Sequence, residues 1–137
     1  MKACFAGLLL LTVGCVNTQP PPDTVSGPRL TPAWVAFIQS GRTTRAEVLA
    51  RLGTNGMISV SHPATNVTLA LGYPWQGDTA WHAWQASSTY GVAMRDQIWR
   101  AYFLAFNADD IVMAAGFRTL AGDKSASAQL SDWAARQ

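Results

Sequence analysis

The sequence predicts an α+β domain in which two short N-terminal helices pack on a small antiparallel sheet, giving two layers. Helix-start signals occur early, at Thr31 and Thr44, whereas the later chain carries short β-prone runs separated by turn residues. In residues 97–106 and 111–117, successive side chains fall alternately on two faces, and a polar turn separates the two segments. This is the pattern of a β-hairpin. When helices precede a run of strands in the sequence, the usual fold is an antiparallel sheet with the helices grouped on one face or at one end.

Both helices have recognisable ends. Thr31 can cap a helix that has proline at its first position, and we expect this helix to continue as far as Gly41. The second helix begins at Thr44, which forms a capping-box pattern with Glu47, and Gly53 ends it. Only three residues, 41–43, would separate the two helices, so they should form a tight helical hairpin.

The strands follow the helices. They are predicted at 57–61, 67–71, 81–86, 97–106 and 111–117, with turns at 62–66 and 107–110. Both faces of the 97–106 strand are largely apolar, so one face should meet the helices and the other should be only partly exposed. Residues 125–137 suit either a short helix carrying Leu130 and Trp133 or a frayed end.

The N-terminus has the layout of a bacterial lipoprotein signal. Met1 and Lys2 precede an uncharged apolar run that is too short to span a bilayer, and Gly14-Cys15 closes it. This ending resembles the lipobox that lipoprotein signal peptidase recognises, so Cys15 should become the lipidated first residue. The alternative is a secreted protein in which Cys15 is trimmed or free. Val16, which is not the aspartate of an inner-membrane retention signal, favours a periplasm-facing anchor in the outer membrane.

These signals divide the chain into three parts. Residues 1–14 form the signal peptide, 15–30 the lipidated cysteine with a Pro-rich tether, and 31–137 a single domain. Cys4 leaves with the signal and Cys15 carries lipid, so the mature domain should contain neither a thiol nor a disulfide. Apart from the covalent lipid, no cofactor is expected.

Charge and residue pattern exclude several functions. The formal net charge is only +2, and the chain has no Lys/Arg cluster, which argues against nucleic-acid binding. The two histidines, His62 and His82, lie far apart without a thiol nearby, so we expect no metal site. No serine occupies a nucleophile elbow, and the adjacent acids Asp109 and Asp110 fall in a turn. The sequence therefore predicts a protein that is not an enzyme.

Six tryptophans are many for 137 residues. One interpretation is that they fill the core of a small domain without disulfides. The other is that one sheet face displays them to a partner, with Trp81 and Trp99 on that face and Arg100 and Tyr73 near its rim. These four residues are the candidate binding residues.

Two segments carry a family resemblance. The first segment is Ile38–Gly53, which contains Gly41, the capping Thr44, Val48 and the closing Leu-Gly, and the second is the hairpin Tyr102–Val112. They resemble the SmpA/OmlA lipoprotein family, which includes BamE. The resemblance implies a BamE-like fold and a non-catalytic scaffold or adaptor in envelope maintenance or outer-membrane protein assembly. Its partners would be the membrane, through the lipid, and an envelope protein. The same fold class also suits a tethered inhibitor or immunity-like protein that binds a periplasmic enzyme. A third alternative is a small-molecule or glycan-binding module that uses the tryptophans.

Overall fold

A computed structural model describes residues 26–84 and 92–137, with side chains for 26–77 and 98–137. Its elements, in chain order, are α1 (Pro32–Val35), α2 (Arg45–Leu52), β1 (Ile58–Ser61), β2 (Thr68–Trp84), β3 (Val92–Phe106), β4 (Val112–Leu120) and α3 (Ala126–Ala134). The four strands form one antiparallel sheet in sequential order. The predicted α+β class is therefore confirmed, but the helices do not all precede the sheet, since α3 follows it.

The first helix begins as predicted and ends early. Thr31 accepts a hydrogen bond from the Trp34 backbone N–H at 3.4 Å, but α1 has only four residues and ends at Val35. Beyond it, the Thr43 hydroxyl accepts from the Gln39 N–H at 2.9 Å and donates to the Phe37 carbonyl at 3.2 Å. Those side-chain bonds occupy backbone groups that a continuing helix would use. The predicted continuation to Gly41 and the tight helical hairpin are therefore wrong.

The second helix has the predicted ends. The Glu47 N–H donates to the Thr44 hydroxyl at 3.3 Å, and the Thr44 N–H donates to the Glu47 carboxylate at 2.8 Å. These Thr44 donors hold the pKa of Glu47 below its usual value. Gly53 closes the helix at φ 73°, a conformation that favours glycine, and its N–H donates to the Leu49 carbonyl at 2.9 Å.

The sheet is more extended than predicted. Residues 81–84, expected in a separate strand, continue β2, while 85–86 lie outside the described residues. β1 pairs with β2 only up to Gly72, and β4 pairs with β3 only from Trp99 onward. Among the described residues, the segments 79–84 and 92–97 therefore pair only with each other, as a two-stranded ribbon that extends beyond the four-stranded part.

The late hairpin matches its prediction. Asn107 caps the turn, because its side-chain oxygen accepts from the backbone N–H groups of Asp109 and Ile111, both at 3.0 Å. Asp110 has φ 59°, and its carboxylate pairs with Arg45 at 2.8 Å. The other guanidinium nitrogen of Arg45 donates to the Thr68 hydroxyl at 2.8 Å. Arg45 therefore ties the start of α2 to both the hairpin turn and β2.

Each face of the sheet has its own apolar cluster. On the face of α1 and α2, Val35 and Val48 pack with side chains of β2, β3 and β4. On the opposite face, α3 buries Leu130 and Trp133 against Phe103 and neighbouring residues. The expectation that this second face is partly exposed is therefore wrong. Helices therefore lie on each side of the sheet, so the predicted arrangement of two layers is wrong. Both side-chain sets of β3 are apolar because both faces are covered.

The packed structure also begins earlier than predicted. Residues 26–30, assigned to the tether, lie against β2: the Gly27 N–H donates to the Pro74 carbonyl at 2.9 Å, and Leu30 is 3% exposed. A Cβ on Gly56 would come within 2.6 Å of the Gly27 Cα, so these two backbones touch. In the part of the chain described here, no helix is long and apolar enough to cross a membrane.

Candidate functional site

The structure separates the residues that the sequence grouped as a binding face. Tyr73 is 2% exposed and lies in the cluster beneath α1 and α2, whereas Trp99 is 8% exposed and lies in the cluster beneath α3. Arg100 follows Trp99 on β3, points to the other face and is exposed. The backbone of Trp81 pairs with Arg95, but its side chain lies outside the described residues, as does Cys15. The predicted arrangement, with Tyr73 at the rim of a face containing Trp99, is wrong.

Tyr73 has a structural environment. Its hydroxyl donates to the Gly53 carbonyl at 3.0 Å, which links β2 to the C-terminus of α2. Burial disfavours the phenolate and raises the pKa of Tyr73 to about 12. The side chain is therefore a neutral, hydrogen-bonded core group at physiological pH.

Trp99 fills the opposite side of the sheet. It belongs to the same apolar cluster as Leu120, Leu130 and Trp133. Its indole N–H is buried and makes no hydrogen bond to the described part of the protein. For Trp99, the core-filling interpretation agrees with the structure.

Arg100, in contrast, borders an open groove of about 270 Å3, which we call the Arg100 groove. One wall is the segment that leads into α1, and the floor and far wall come from β2, β3 and β4. The lining side chains are those of Arg29, Leu30, Pro32, Trp75, Arg100 and Phe117.

Strand register explains how these side chains meet. Trp75 on β2 lies directly opposite Arg100 on β3, so both side chains share the α1 side of the sheet. The Phe117 ring packs edge-on against Trp75, with ring centroids 6.1 Å apart and an interplanar angle of 88°. At Gly77, a Cβ would lie 3.2 Å from the Arg100 Cγ and 2.6 Å from the Ile98 carbonyl oxygen. Glycine thus leaves room for the stem of Arg100 to lie across β2.

The charged side chains that line the groove are both arginines. Arg29 and Arg100 contribute two guanidinium groups, and no described lining residue is acidic. Trp75 is 3% exposed, and its buried indole N–H makes no hydrogen bond within the described structure. Arginine forks match carboxylate and phosphate groups, and a buried N–H without an acceptor is costly. The groove therefore places the exposed side chain of Arg100 beside apolar and aromatic side chains.

Two other grooves have less directed chemistry. A cavity of about 600 Å3 lies between the end of β4 and α3, but cations and anions both line it, and Lys124 and Asp132 pair with each other at 3.4 Å. A smaller one, of about 190 Å3, lies between Leu69, Met113 and α3, and its lining is apolar except for Ser131.

Of the acidic and imidazole side chains that the sequence singles out, those of His62 and Asp110 make local structural contacts, whereas the side chain of His82 lies outside the described residues. The His62 ring nitrogen accepts from the Ala64 N–H at 3.2 Å, as expected of a turn residue. Asp110 pairs with Arg45, and Asp109 is exposed in the turn. Among the residues whose side chains are described, 26–77 and 98–137, no three His, Cys, Asp or Glu side chains come together in a way that could hold a metal ion.

Sequence reasoning identified Arg100 but missed the rest of the groove. Arg29 was assigned to the tether, and Phe117 was considered only as one face of a strand. Finding them requires the register of three strands and the docking of 26–30, and neither follows from residue spacing. One signal was available: Tyr73 and Trp75 are two residues apart in one apolar run, so on a strand their side chains lie on the same face.

No protein-family model, curated protein or solved structure matches this chain.

Proposed function

We propose that the protein is a lipoprotein of the outer membrane that faces the periplasm and acts as a non-catalytic adaptor in envelope maintenance or outer-membrane protein assembly. The observation that carries this proposal is the short apolar run that ends at Gly14-Cys15 after a basic start. The segments that resemble the SmpA/OmlA family support the choice of process.

The tether is shorter than the sequence alone suggested. Since 26–30 pack on the domain, the ten residues from Val16 to Val25 connect the lipidated cysteine to the folded part. In an extended Pro-rich conformation of about 3 Å per residue, they would reach roughly 30 Å. A domain held within that distance of the membrane meets its partners at raised effective concentration, so even a weak contact is sufficient.

Mutation of each cysteine tests the anchor. In cells given a labelled fatty acid, Cys15→Ser should abolish labelling and release the domain from membranes. Cys4→Ser is the matched control, because Cys4 lies in the part that is removed, and it should leave labelling unchanged. Continued labelling of the Cys15→Ser protein would contradict the proposal.

A pull-down from detergent-solubilised envelope tests the adaptor role. Recovery of barrel-assembly subunits in stoichiometric amounts supports it. Stoichiometric recovery of a periplasmic hydrolase would instead indicate the tethered-inhibitor alternative, and inhibition of that hydrolase by the purified chain would confirm it.

A further inference from the structure

We propose that the two-stranded ribbon of residues 79–84 and 92–97 docks the domain on a lipid bilayer, with its outer end in the interfacial layer of the membrane. This inference rests on the proposed lipid anchor and deepens it, because it assigns the part of the domain that meets the membrane. Three features carry it: the place of the ribbon beyond the four-stranded sheet, its composition, and the point where the tether leaves the domain.

The ribbon extends beyond the packed part of the sheet. β1 pairs with β2 only up to Gly72, and β4 pairs with β3 only from Trp99 onward, so among the described residues the six backbone pairs of the ribbon have no further strand beside them. At about 3.3 Å per residue, six pairs extend roughly 20 Å. A two-stranded hairpin on its own is only marginally stable in water, so a ribbon of this length is expected to have a partner.

The outer part of the ribbon is apolar on both faces. Paired positions share a face and successive pairs alternate between faces, so each face has one tryptophan. Six of the eight outer residues are apolar and none is acidic, whereas Asp96 belongs to the next pair toward the sheet. An end that is apolar on both faces suits a surrounding apolar medium, because a flat protein partner would cover only one face. The four outer pairs are Trp81 with Arg95, His82 with Met94, Ala83 with Ala93, and Trp84 with Val92.

The residue types at the outer end are those that favour a membrane interface. Tryptophan is enriched at the level of the lipid headgroups, because its ring combines an apolar body with a polar N–H. Arginine at an interface keeps its charge among the headgroups while its stem lies along the apolar layer. Trp81 pairs with Arg95, so both residue types occur at one level of the ribbon.

The tether leaves the domain at the base of the ribbon and runs toward it. The Gly27 N–H donates to the Pro74 carbonyl at 2.9 Å, and the Ser26 hydroxyl accepts from the Gln76 N–H at 3.3 Å. The step back along the chain from Gly27 to Ser26 therefore follows β2 in the direction of the ribbon, which begins at Thr79. The chain that leads to the lipid starts on the ribbon side of the domain.

The reach of the tether also fits the length of the ribbon. The ten residues 16–25 reach roughly 30 Å when extended, which exceeds the roughly 20 Å of the ribbon. The lipid on Cys15 can therefore lie in the same bilayer that the outer end of the ribbon enters. A domain held by lipid alone can turn in any direction, whereas a domain held by both lipid and ribbon presents one orientation to the periplasm.

Quenching of tryptophan fluorescence by brominated lipid tests the inference. The full lipidated chain is reconstituted in phosphatidylcholine vesicles whose acyl chains carry bromine near the headgroup, and in the same vesicles without bromine. Because bromine quenches only the tryptophans that it contacts, we expect lower fluorescence in the brominated vesicles. The double variant Trp81→Phe/Trp84→Phe should lose most of that quenching. Equal fluorescence of the unchanged chain in both kinds of vesicle would overturn the inference.

Two other tryptophans supply matched controls. Trp34→Phe removes a side chain that is 58% exposed on α1, and Trp99→Phe removes one that is 8% exposed beneath α3. Both variants should keep the quenching of the unchanged chain. Quenching that is lost in Trp34→Phe but kept in the double variant would show that another part of the domain meets the membrane, and would overturn the inference. Unquenched ribbon tryptophans, together with a dimer in detergent that the double variant abolishes, would assign the ribbon to a second copy of the chain instead.

The anchor and the ribbon fail separately. Flotation with vesicles depends on the lipid at Cys15, whereas the quenching depends on Trp81 and Trp84. A chain that floats with the vesicles and shows no quenching retains the anchor and overturns the role of the ribbon. A chain whose Cys15 carries no lipid contradicts the anchor, and quenching by excess brominated vesicles, or its absence, still decides the role of the ribbon.

Discussion

Two adjacent residues of β3 should differ sharply in their effect on stability. Trp99 is 8% exposed beneath α3, whereas Arg100 is exposed on the opposite face. A buried aromatic side chain removes roughly 150–250 Å2 from water, which is about 4–6 kcal/mol at about 25 cal/mol per Å2. Compactness of the unfolded chain lowers this by roughly 10–40%. We therefore expect Trp99→Ala to lower the free energy of unfolding by about 3–5 kcal/mol.

Arg100→Ala is the matched comparison and should change stability by about 0.5 kcal/mol or less. Urea unfolding followed by circular dichroism measures both variants, and the midpoint gives the comparison even if Trp99→Ala is partly unfolded. Because the Trp99 indole N–H makes no hydrogen bond in the described structure, the loss should come from packing alone. A loss below about 1 kcal/mol for Trp99→Ala would refute the burial of this face by α3.

Three further experiments test other parts of the fold. Burial raises the pKa of Tyr73 to about 12, so between pH 10 and 12 the unfolded chain loses a proton that the folded chain keeps, and stability falls as pH rises. Tyr73→Phe should reduce this loss of stability by up to about 2–3 kcal/mol, as measured in alkaline unfolding curves. Thr44→Ala removes the cap of α2 and should cost about 1 kcal/mol in urea, while exposed Thr65→Ala should cost almost nothing. Gly56→Ala and Gly41→Ala both place alanine at positive φ, but only the Cβ at position 56 would meet backbone atoms. Gly56→Ala should therefore lower the free energy of unfolding by at least about 1 kcal/mol more than Gly41→Ala does. Equal losses would show that 26–30 do not pack against Gly56.

Local signals predicted the local features. The Thr44 and Glu47 pair predicted the start of α2 because the capping bonds lie within four residues. The Asn107–Asp110 turn followed from side chains that bond their own backbone. In both cases the stabilising contacts are close in sequence, so spacing alone describes them.

Features that depend on distant contacts were missed. The first helix ends at Val35 because the Thr43 hydroxyl forms hydrogen bonds with the Gln39 N–H and the Phe37 carbonyl. Helix periodicity in the sequence does not reveal these contacts. The alternation of β3 correctly gave two apolar faces, but only the position of α3 shows that both are covered. Arg100 was recognised as a candidate for binding, whereas its neighbours in the groove become visible only once register brings Trp75 opposite to it.

Mass spectrometry of the protein purified from its native envelope tests the central claim most directly. If the domain is a lipid-anchored adaptor, the first residue of the mature chain is Cys15, with the mass of a diacylglyceryl group and an additional acyl chain on it. A mature chain that begins at any other residue, or at Cys15 with an unmodified thiol, would contradict the account.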